Sequence, residues 1–256
     1  MSVDDLTVPL QSHGLAQRRL LVTEQDSEHF YRPVGFLSVT PGAETDRYTF
    51  EYLRSAVRRE GFRPFLGFAD VGRVYRSDGL FPLFAERIMD PRRPEHPVFL
   101  AALDLSGEVT PLEVLARSGG QRTGDGIMLL PVPEVQPDGA THCFFLVHGV
   151  RHVEGADERV GRLSAGTALA LQPQPDNRWN PHAQLVVEGE GQPLGYVPDA
   201  LLEYVMSVDG ARLTVARVNG PEVGSRLRLL VRLDGSVDPQ RPPFSGPLWD
   251  TVTEFA

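Results

Sequence analysis

The sequence predicts an α+β protein that is mostly β: a small N-terminal α+β domain followed by a barrel-like domain of short strands. Twenty-five glycines and 22 prolines among 256 residues divide the chain into short elements, which favours strands joined by turns. Helical periodicity is confined to a central stretch, after which short apolar runs return at close intervals. We therefore place two domains at 18–135 and 136–240, between a flexible tail at 1–17 and a C-terminal tail at 241–256.

The first predicted elements are strands. The apolar runs at 19–22 and 34–39 are short and bounded by polar residues and turn formers, which is typical of buried strands. Tyr48, Phe50 and Tyr52 alternate with polar residues, the pattern of a strand with one buried face. Together these runs predict a small N-terminal sheet.

Short helices are predicted between this sheet and the centre of the chain. Residues 53–60 have helical character, and 80–89 place apolar side chains at spacings of four on one face. A second short helix is predicted at 98–105. A third begins at Thr110, because Thr110 and Glu113 stand at the spacing of a capping box. We expect this helical cluster to pack on the N-terminal sheet.

The rest of the chain is predicted to be mostly strands. A domain boundary is expected within 132–140, after an apolar strand that starts near Ile127. The strands predicted beyond it lie at 142–150, 150–153, 168–171, 184–187, 194–197, 212–218 and 226–233. One helix is predicted at 199–205. This many short strands with a single helix in about 100 residues suggests a small, partly open β-barrel.

Composition excludes several classes of function. A formal net charge of −9 argues against a protein that coats nucleic acid by bulk charge, so any such binding must be local. All 25 basic residues are arginine, which excludes a P-loop lysine, a kinase lysine and Schiff-base chemistry. The single cysteine, Cys143, excludes internal disulfides and zinc sites built from several cysteines. With neither a signal-peptide pattern nor a long apolar run, we expect a cytoplasmic protein without a membrane partner.

Candidate catalytic and metal residues are few. His142, His148 and His152 have the same parity but span about 33 Å if extended, so we interpret them as structural and assign no metal and no other cofactor. The glycine-rich stretch 115–126 is interpreted as a helix C-cap and a turn, although Arg117 and Arg122 could hold a phosphate. A hydrolase site around these arginines and Asp125 is a remote alternative, and we predict that the protein is not an enzyme.

Binding residues give a stronger signal. Arginine beside planar side chains at strand ends is typical of single-stranded nucleic-acid binding, where guanidinium groups meet phosphates and rings stack on bases for about 1–3 kcal/mol per base. The candidate residues are Arg151, His152, Asn177, Arg178, Trp179, Asn180 and Tyr196. The alternative from the same pattern is that Trp179 and Tyr196 cap the core of a small barrel, with Asn177 and Asn180 as turn formers.

The segment from about 145 to 206 resembles the HIRAN domain, which occurs alone in bacteria and fused to helicase-like repair and remodelling proteins in eukaryotes. The resemblance is carried by the sequences GVRH (149–152), PDNRWNPHA (175–183) and GYV (195–197), in that order and spacing. It implies an OB-like β-barrel that binds the 3′ end of single-stranded DNA.

The same resemblance implies roles for individual residues. Arg151 would contact a phosphate, His152 and Trp179 would form a stacking pair, and Asn177 would brace the loop. Asn180 stands where the family usually has an aspartate that helps to hold the DNA end. His152 replaces a tyrosine and offers a smaller stacking face.

The N-terminal part resembles a different family more distantly. Residues 18–39, 48–52 and 77–89 are similar to the N-terminal subdomain of HipA-type toxin proteins, which is β-rich and contributes to contacts with a DNA-binding antitoxin. This resemblance implies an interaction module and no kinase activity.

The sequence therefore predicts a bacterial, non-catalytic protein that binds single-stranded DNA or DNA 3′ ends through its second domain. Such a protein would be an accessory to DNA repair, mobile elements or a toxin–antitoxin-like system. The alternative is a protein–protein interaction module without DNA affinity, with a partner bound through 80–125.

Overall fold

The first of two antiparallel sheets lies in the N-terminal half of the chain. The computed structural model describes residues 18–189 and 191–252. In these residues the strand order of the first sheet is β4-β3-β2-β1-β5. Its strands are β1 (Arg19–Gln25), β2 (Tyr31–Thr40), β3 (Arg47–Tyr52), β4 (Tyr75–Ser77) and β5 (Ile127–Pro131). The predicted strands at 19–22, 34–39 and 48–52 are confirmed, whereas the predicted tail at 1–17 lies outside the described residues.

Four short helices lie in the chain between β3 and β5. They are α1 (Arg54–Val57), α2 (Pro82–Ala85), α3 (His96–Ala102) and α4 (Pro111–Ser118). The capping box of α4 is present, because Thr110 Oγ1 accepts from the Glu113 N–H while the Glu113 carboxylate accepts from the Thr110 N–H. The helices predicted at 53–60 and 80–89 are only four residues each. Helices this short owe their stability to packing, and the side chain that α2 buries completely is Phe84.

The second sheet contains the other six strands. Their order is β6-β11-β10-β7-β8-β9, and every neighbouring pair is antiparallel. The strands are β6 (Ala140–Leu146), β7 (Ala168–Pro173), β8 (Gln184–Glu188), β9 (Gln192–Tyr196), β10 (Asp209–Val218) and β11 (Leu229–Ser236). Two helices accompany them, α5 (Ala156–Val160) and α6 (Leu202–Ser207), the latter close to the helix predicted at 199–205.

The predicted strand at 150–153 is wrong. Gly149 has a left-handed backbone with φ of 71°, and the chain then makes a 3-10 turn over Val150–His152. A left-handed glycine ends the extended conformation of β6 and redirects the chain. Arg151 and His152 therefore lie on a tight turn.

An isolated antiparallel bridge connects the two ends of the second sheet. The N–H of His148, just beyond β6, donates to the Tyr196 carbonyl at 2.9 Å, and the Tyr196 N–H donates to the His148 carbonyl at 2.8 Å. Gly195 permits this approach, because a Cβ there would lie 2.4 Å from the His148 carbonyl oxygen. The described strands form a curled sheet with this bridge and no continuous ladder around a closed barrel.

The first sheet is buried on both faces. Leu20 and Val22 point into a core that also contains Leu112, Leu115 and the aromatic cluster around Phe50. Leu21 points the other way, into a core shared with buried side chains of the second sheet. This two-sided burial explains why β1 begins with an unbroken apolar run.

The segment from 241, predicted to be a tail, packs back onto the first sheet as far as Val252. The Trp249 ring lies 4.8 Å from the Phe244 ring and 6.2 Å from the Phe36 ring, between centroids. The Val252 N–H donates to the Tyr52 carbonyl at 2.9 Å. Between the first and last described residues, no helix is both long and apolar enough to cross a membrane.

Candidate functional site

The loop between β7 and β8 has a fixed conformation. The side-chain oxygen of Asn177 accepts from the backbone N–H groups of Trp179 and Asn180 at 3.0 and 3.2 Å. At the base of the loop, the Gln174 N–H donates to the Ala183 carbonyl at 3.0 Å. Asparagine is suited to this position because its short side chain reproduces a backbone turn.

This loop holds Trp179 at the surface. Its side chain is 62% exposed, so the alternative that Trp179 caps a barrel core does not fit the structure. The Arg178 guanidinium lies 4.6 Å from the centroid of the indole ring, a cation–π contact. A large exposed ring of this kind presents an apolar face to solvent on which a planar group could stack.

Asn180 connects the loop to the start of the 3-10 turn Asp199–Leu201. Its Nδ2 donates to Asp199 Oδ1 at 2.9 Å, and its Oδ1 accepts from the His182 N–H at 2.9 Å. These two partners fix the orientation of the amide. Position 180, where the HIRAN resemblance implies an aspartate, thus has the Asp199 carboxylate directly beside its amide.

Trp179 and Asn180 line a depression of about 530 Å³, which we call the aromatic pocket. Four aromatic and three acidic side chains line it: Phe30, Tyr31, Trp179, Trp249, Glu28, Asp199 and Glu203. Arg32 is the one basic residue in the described part of its lining, and Arg32 Nε is paired with Asp26 at 2.8 Å. The pocket therefore combines stacking surfaces with negative charge.

Arg151 and His152 line a different depression of about 400 Å³, the basic cavity. Arg151 Nε donates to His152 Nε2 at 3.0 Å, so the imidazole acts as an acceptor and both exposed side chains are held together. Residues of both sheets line this cavity, among them Gln25 of β1 and Leu146 of β6. Within residues 18–189 and 191–252, no aspartate or glutamate belongs to its lining.

His148 is another residue of the basic cavity, and it is neutral at pH 7. Burial lowers its pKa to about 4; the nearby Asp199 carboxylate opposes this shift, and the Arg226 charge adds to it. Among the described residues, no group of three or more His, Cys, Asp or Glu could hold a metal ion.

Arg117 lies where α4 crosses β6. Its guanidinium carbon is 3.3 Å from the centroid of the Phe144 ring, and burial lowers its pKa to about 10, which leaves it charged at pH 7. Its Nη1 is buried and has no hydrogen-bond partner within the described ranges. Arg117 also contributes to the lining of the basic cavity.

The glycine-rich stretch 115–126 has the predicted structural role. Gly119 caps α4 with φ of 72°. Asp125 accepts two hydrogen bonds from the buried Arg87 guanidinium, at 3.1 and 2.6 Å, and Arg122 pairs with Glu86. The one acidic residue of this stretch, Asp125, is thus engaged in an ion pair with Arg87.

Tyr196 contacts the segment that carries Arg151 and His152. It lines neither the aromatic pocket nor the basic cavity, and it is partly buried. Its backbone forms the bridge to His148, and its ring faces Gly149, where an added Cβ would lie 3.5 Å from Tyr196 Cδ2. Tyr196 thus positions the turn that carries Arg151.

The structure divides four of the seven predicted site residues between the two depressions, whereas Asn177, Arg178 and Tyr196 line neither. Trp179 and Asn180 line the aromatic pocket, whereas Arg151 and His152 line the basic cavity. The expected stacking pair of His152 and Trp179 therefore does not share one depression. The two depressions are neighbours, because Tyr31 lines both.

Sequence reasoning missed several residues of these depressions. They are Phe30, Tyr31, Asp199, Arg226 and Trp249. Two of them, Phe30 and Tyr31, are adjacent aromatic residues at the end of a polar loop. An aromatic residue in a polar loop is also the pattern that predicts a binding role for Trp179. The others become visible only when the two sheets are brought together.

Comparisons with known proteins give two structural likenesses. No protein-family model matches the sequence, and no curated protein matches it. The HIRAN domain of human HLTF is 17% identical and matches 41% of this chain and 85% of its own length, with a TM-score of 0.30. A solved protein from Lactobacillus plantarum is 20% identical and matches 39% of this chain and all of its own length, with a TM-score of 0.29.

Proposed function

We propose that the chain is a non-catalytic protein that binds single-stranded DNA, with a preference for a free 3′ end. The observation that carries the proposal is the exposed Trp179, held by Asn177 on a braced loop next to a cavity lined by Arg151. Exposed aromatic rings and local arginines are the parts that sequence-tolerant recognition of single strands requires.

The two depressions suit different parts of a strand. Phosphates would lie at the basic cavity, where Arg151 offers charged donors and the described lining residues include no carboxylate. A base would stack on Trp179, for a gain of about 1–3 kcal/mol. This division gives local DNA affinity to a chain whose net charge is −9.

The negative charge of the aromatic pocket favours a strand end over the interior of a strand. Carboxylates of Asp199 and Glu203 would repel a phosphate that continued past the stacked nucleoside. A terminal hydroxyl carries no charge and can donate to Asp199 Oδ1 or to Asn180 Oδ1. We therefore propose that the pair Asn180 and Asp199 takes the part of the aspartate implied by the HIRAN resemblance.

We also propose that the second sheet is an OB-like barrel. The His148–Tyr196 bridge joins the continuation of β6 to β9, the two outer strands of the sheet. In this arrangement two segments lie beside β9. The turn that carries Arg151 is connected to it by the His148–Tyr196 bridge, and the loop that carries Trp179 is connected by the hydrogen bond from Asn180 to Asp199, just after the strand.

A binding measurement with matched variants tests the proposed function. Fluorescence anisotropy of a short labelled single strand should rise on addition of the protein, and Trp179→Ala should weaken binding about tenfold, the loss of one stacked base. Leu66→Ala is the matched control, because Leu66 is also exposed, at 93%, and lines neither depression. Equal affinity of the two variants, or no binding even at low salt, rejects the proposal.

A protein partner is the second candidate function. The observation that favours it is the acidity of the aromatic pocket, because rings surrounded by carboxylates also suit an arginine or lysine side chain. Val98 of α3, 65% exposed, offers a further apolar contact within 80–125. This alternative predicts no affinity for single-stranded DNA and a partner interaction that is weakened by substitution of Trp179 or Val98.

A further inference from the structure

The basic cavity lies between the two sheets and differs in charge from the rest of the molecule. The protein has nine more acidic than basic residues, yet among the described residues three arginines and no carboxylates line this cavity. The arginines come from three separate parts of the chain: Arg117 from α4, Arg151 from the turn after β6, and Arg226 from the segment before β11. Like charges brought together this way repel one another, which favours binding of an anion.

Of the three arginines that line the basic cavity, Arg226 is the one without a side-chain hydrogen bond or ring contact to another described residue, since Arg151 bonds His152 and Arg117 stacks on Phe144. Arg226 is exposed and has no hydrogen-bond or ion-pair partner among the described residues. Burial raises the pKa of Tyr31; the Arg226 charge opposes that rise, and the Asp125 charge adds to it. The Arg226 charge also lowers the pKa of His148, so it influences two residues of the cavity wall, Tyr31 and His148.

Neutral donors complete the lining. Gln121 Nε2 donates to the Tyr31 hydroxyl oxygen at 3.2 Å, which leaves the Tyr31 O–H to donate to a ligand. Gln25 and the hydroxyls of Ser118 and Ser225 lie in the same lining. Charged and neutral donors together are the combination that binds phosphate oxygens.

The size of the cavity fits a small phosphorylated ligand. Its volume of about 400 Å³ lies within the usual range of about 300–1,000 Å³ for small-molecule sites. Apolar side chains of Met128, Leu130 and Phe145 also line it and could contact the uncharged part of a ligand.

We propose that the basic cavity is a nucleotide-phosphate site built jointly by the two sheets, with Arg226, Arg151 and Tyr31 as its binding residues. The phosphate comes either from a free mononucleotide or from a nucleic-acid strand. The site shares Arg151 with the proposed DNA interface but does not require Trp179. It assigns to the N-terminal sheet a direct part in ligand binding, through Tyr31 and Gln25.

Calorimetric titration of the full chain tests this proposal. Deoxyadenosine 5′-monophosphate is the probe, and deoxyadenosine, which lacks the phosphate, is the matched ligand control. The monophosphate should bind and the nucleoside should not. Binding of both with the same affinity, or of neither, overturns the proposal.

Matched variants locate the site. Arg226→Gln should weaken monophosphate binding about tenfold, the loss of one charged hydrogen bond, and Tyr31→Phe should weaken it to a smaller extent. Arg212→Gln is the charge-matched control, because Arg212 is exposed on β10 and does not line the cavity. An Arg226→Gln affinity equal to that of Arg212→Gln places the phosphate elsewhere and overturns the proposal.

Trp179→Ala separates this proposal from the proposed function. If the monophosphate binds with Arg226 dependence while single-stranded DNA does not bind, the phosphate site stands and the DNA function fails. If DNA binds with Trp179 dependence and the monophosphate does not bind, the phosphate site fails alone. Displacement of the monophosphate by a ten-nucleotide strand identifies strand phosphates as the source, and no displacement identifies the free nucleotide.

Discussion

The Asn180 side-chain amide donates a hydrogen bond to the Asp199 carboxylate, with 2.9 Å between Nδ2 and Oδ1. This contact joins the loop that carries Trp179 to the turn that precedes α6, and it places a negative charge on the wall of the aromatic pocket. An amide at position 180 is therefore compatible with an acidic site, because the carboxylate is provided 19 residues later in the chain.

Asn180→Asp tests the contact itself. At pH 7 the new carboxylate would face Asp199 with no donor between them, so we expect the free energy of unfolding to fall by about 1 kcal/mol. Urea unfolding at pH 7 and near pH 4 measures it, and the loss should shrink at the lower pH as one carboxyl becomes protonated. An equal loss at both pH values would contradict the electrostatic origin.

Asn177→Ala should loosen the loop without unfolding the protein. The substitution removes both hydrogen bonds that Asn177 Oδ1 accepts, at a cost of about 1 kcal/mol to local order. In a Trp249→Phe background, acrylamide quenching of Trp179 fluorescence and DNA affinity report the effect. We expect more quenching and weaker DNA binding than in the background protein. Unchanged quenching would show that the loop is braced in another way.

Gly195→Ala should destabilise the second sheet. The added Cβ would lie 2.4 Å from the His148 carbonyl oxygen and 2.6 Å from Val147 Cγ1, so the bridge to Tyr196 could not form without a shift of the backbone. We expect a loss of about 1–3 kcal/mol in thermal or urea unfolding. Gly79→Ala is the control, since a Cβ there meets nothing within 4 Å, and its effect should stay within about 0.5 kcal/mol. Equal stability of the two variants would show that the bridge does not contribute.

His148 should make stability depend on pH. Burial lowers its pKa from an ordinary 6.5 to about 4, so the unfolded chain takes up this proton at a higher pH than the folded protein does. The resulting contribution of His148 to the free energy of unfolding is fully present above pH 6.5 and is lost as pH falls towards 4. Its size is on the order of 2 kcal/mol after allowance for partial exposure.

His148→Gln should remove that part of the pH dependence. Urea unfolding midpoints at pH 7 and pH 4.5 measure the change, with His182→Gln in the exposed loop as the control. If both variants keep the pH dependence of the original protein, other groups are responsible for it.

Local patterns in the sequence predict most of the secondary structure. The capping box of α4 and the alternation of Tyr48, Phe50 and Tyr52 are read correctly because each depends on neighbours within a few residues. The turn at Val150–His152 is predicted as a strand because only the left-handed backbone of Gly149 distinguishes the two, and a glycine alone does not reveal its φ.

The candidate site is only partly predictable, because sequence patterns report contacts within a few residues and not those between distant segments. Trp179 and its bracing by Asn177 are predicted, since both lie within one loop. The partner of Asn180 and the lining of the basic cavity depend on contacts between distant segments, such as Tyr31 with Gln121, 90 residues apart. No periodicity or spacing encodes those contacts.

The proposed binding of a free 3′ end can be measured directly as a difference in affinity between two strands. Anisotropy titrations should compare two ten-nucleotide single strands, identical except for a hydroxyl or a phosphate at the 3′ end and labelled at the 5′ end. We expect the 3′-phosphate to weaken binding about tenfold, because Asp199 and Glu203 repel it, and Trp179→Ala to weaken binding of the hydroxyl strand. Equal binding of both strands, or tighter binding of the phosphorylated one, would contradict it.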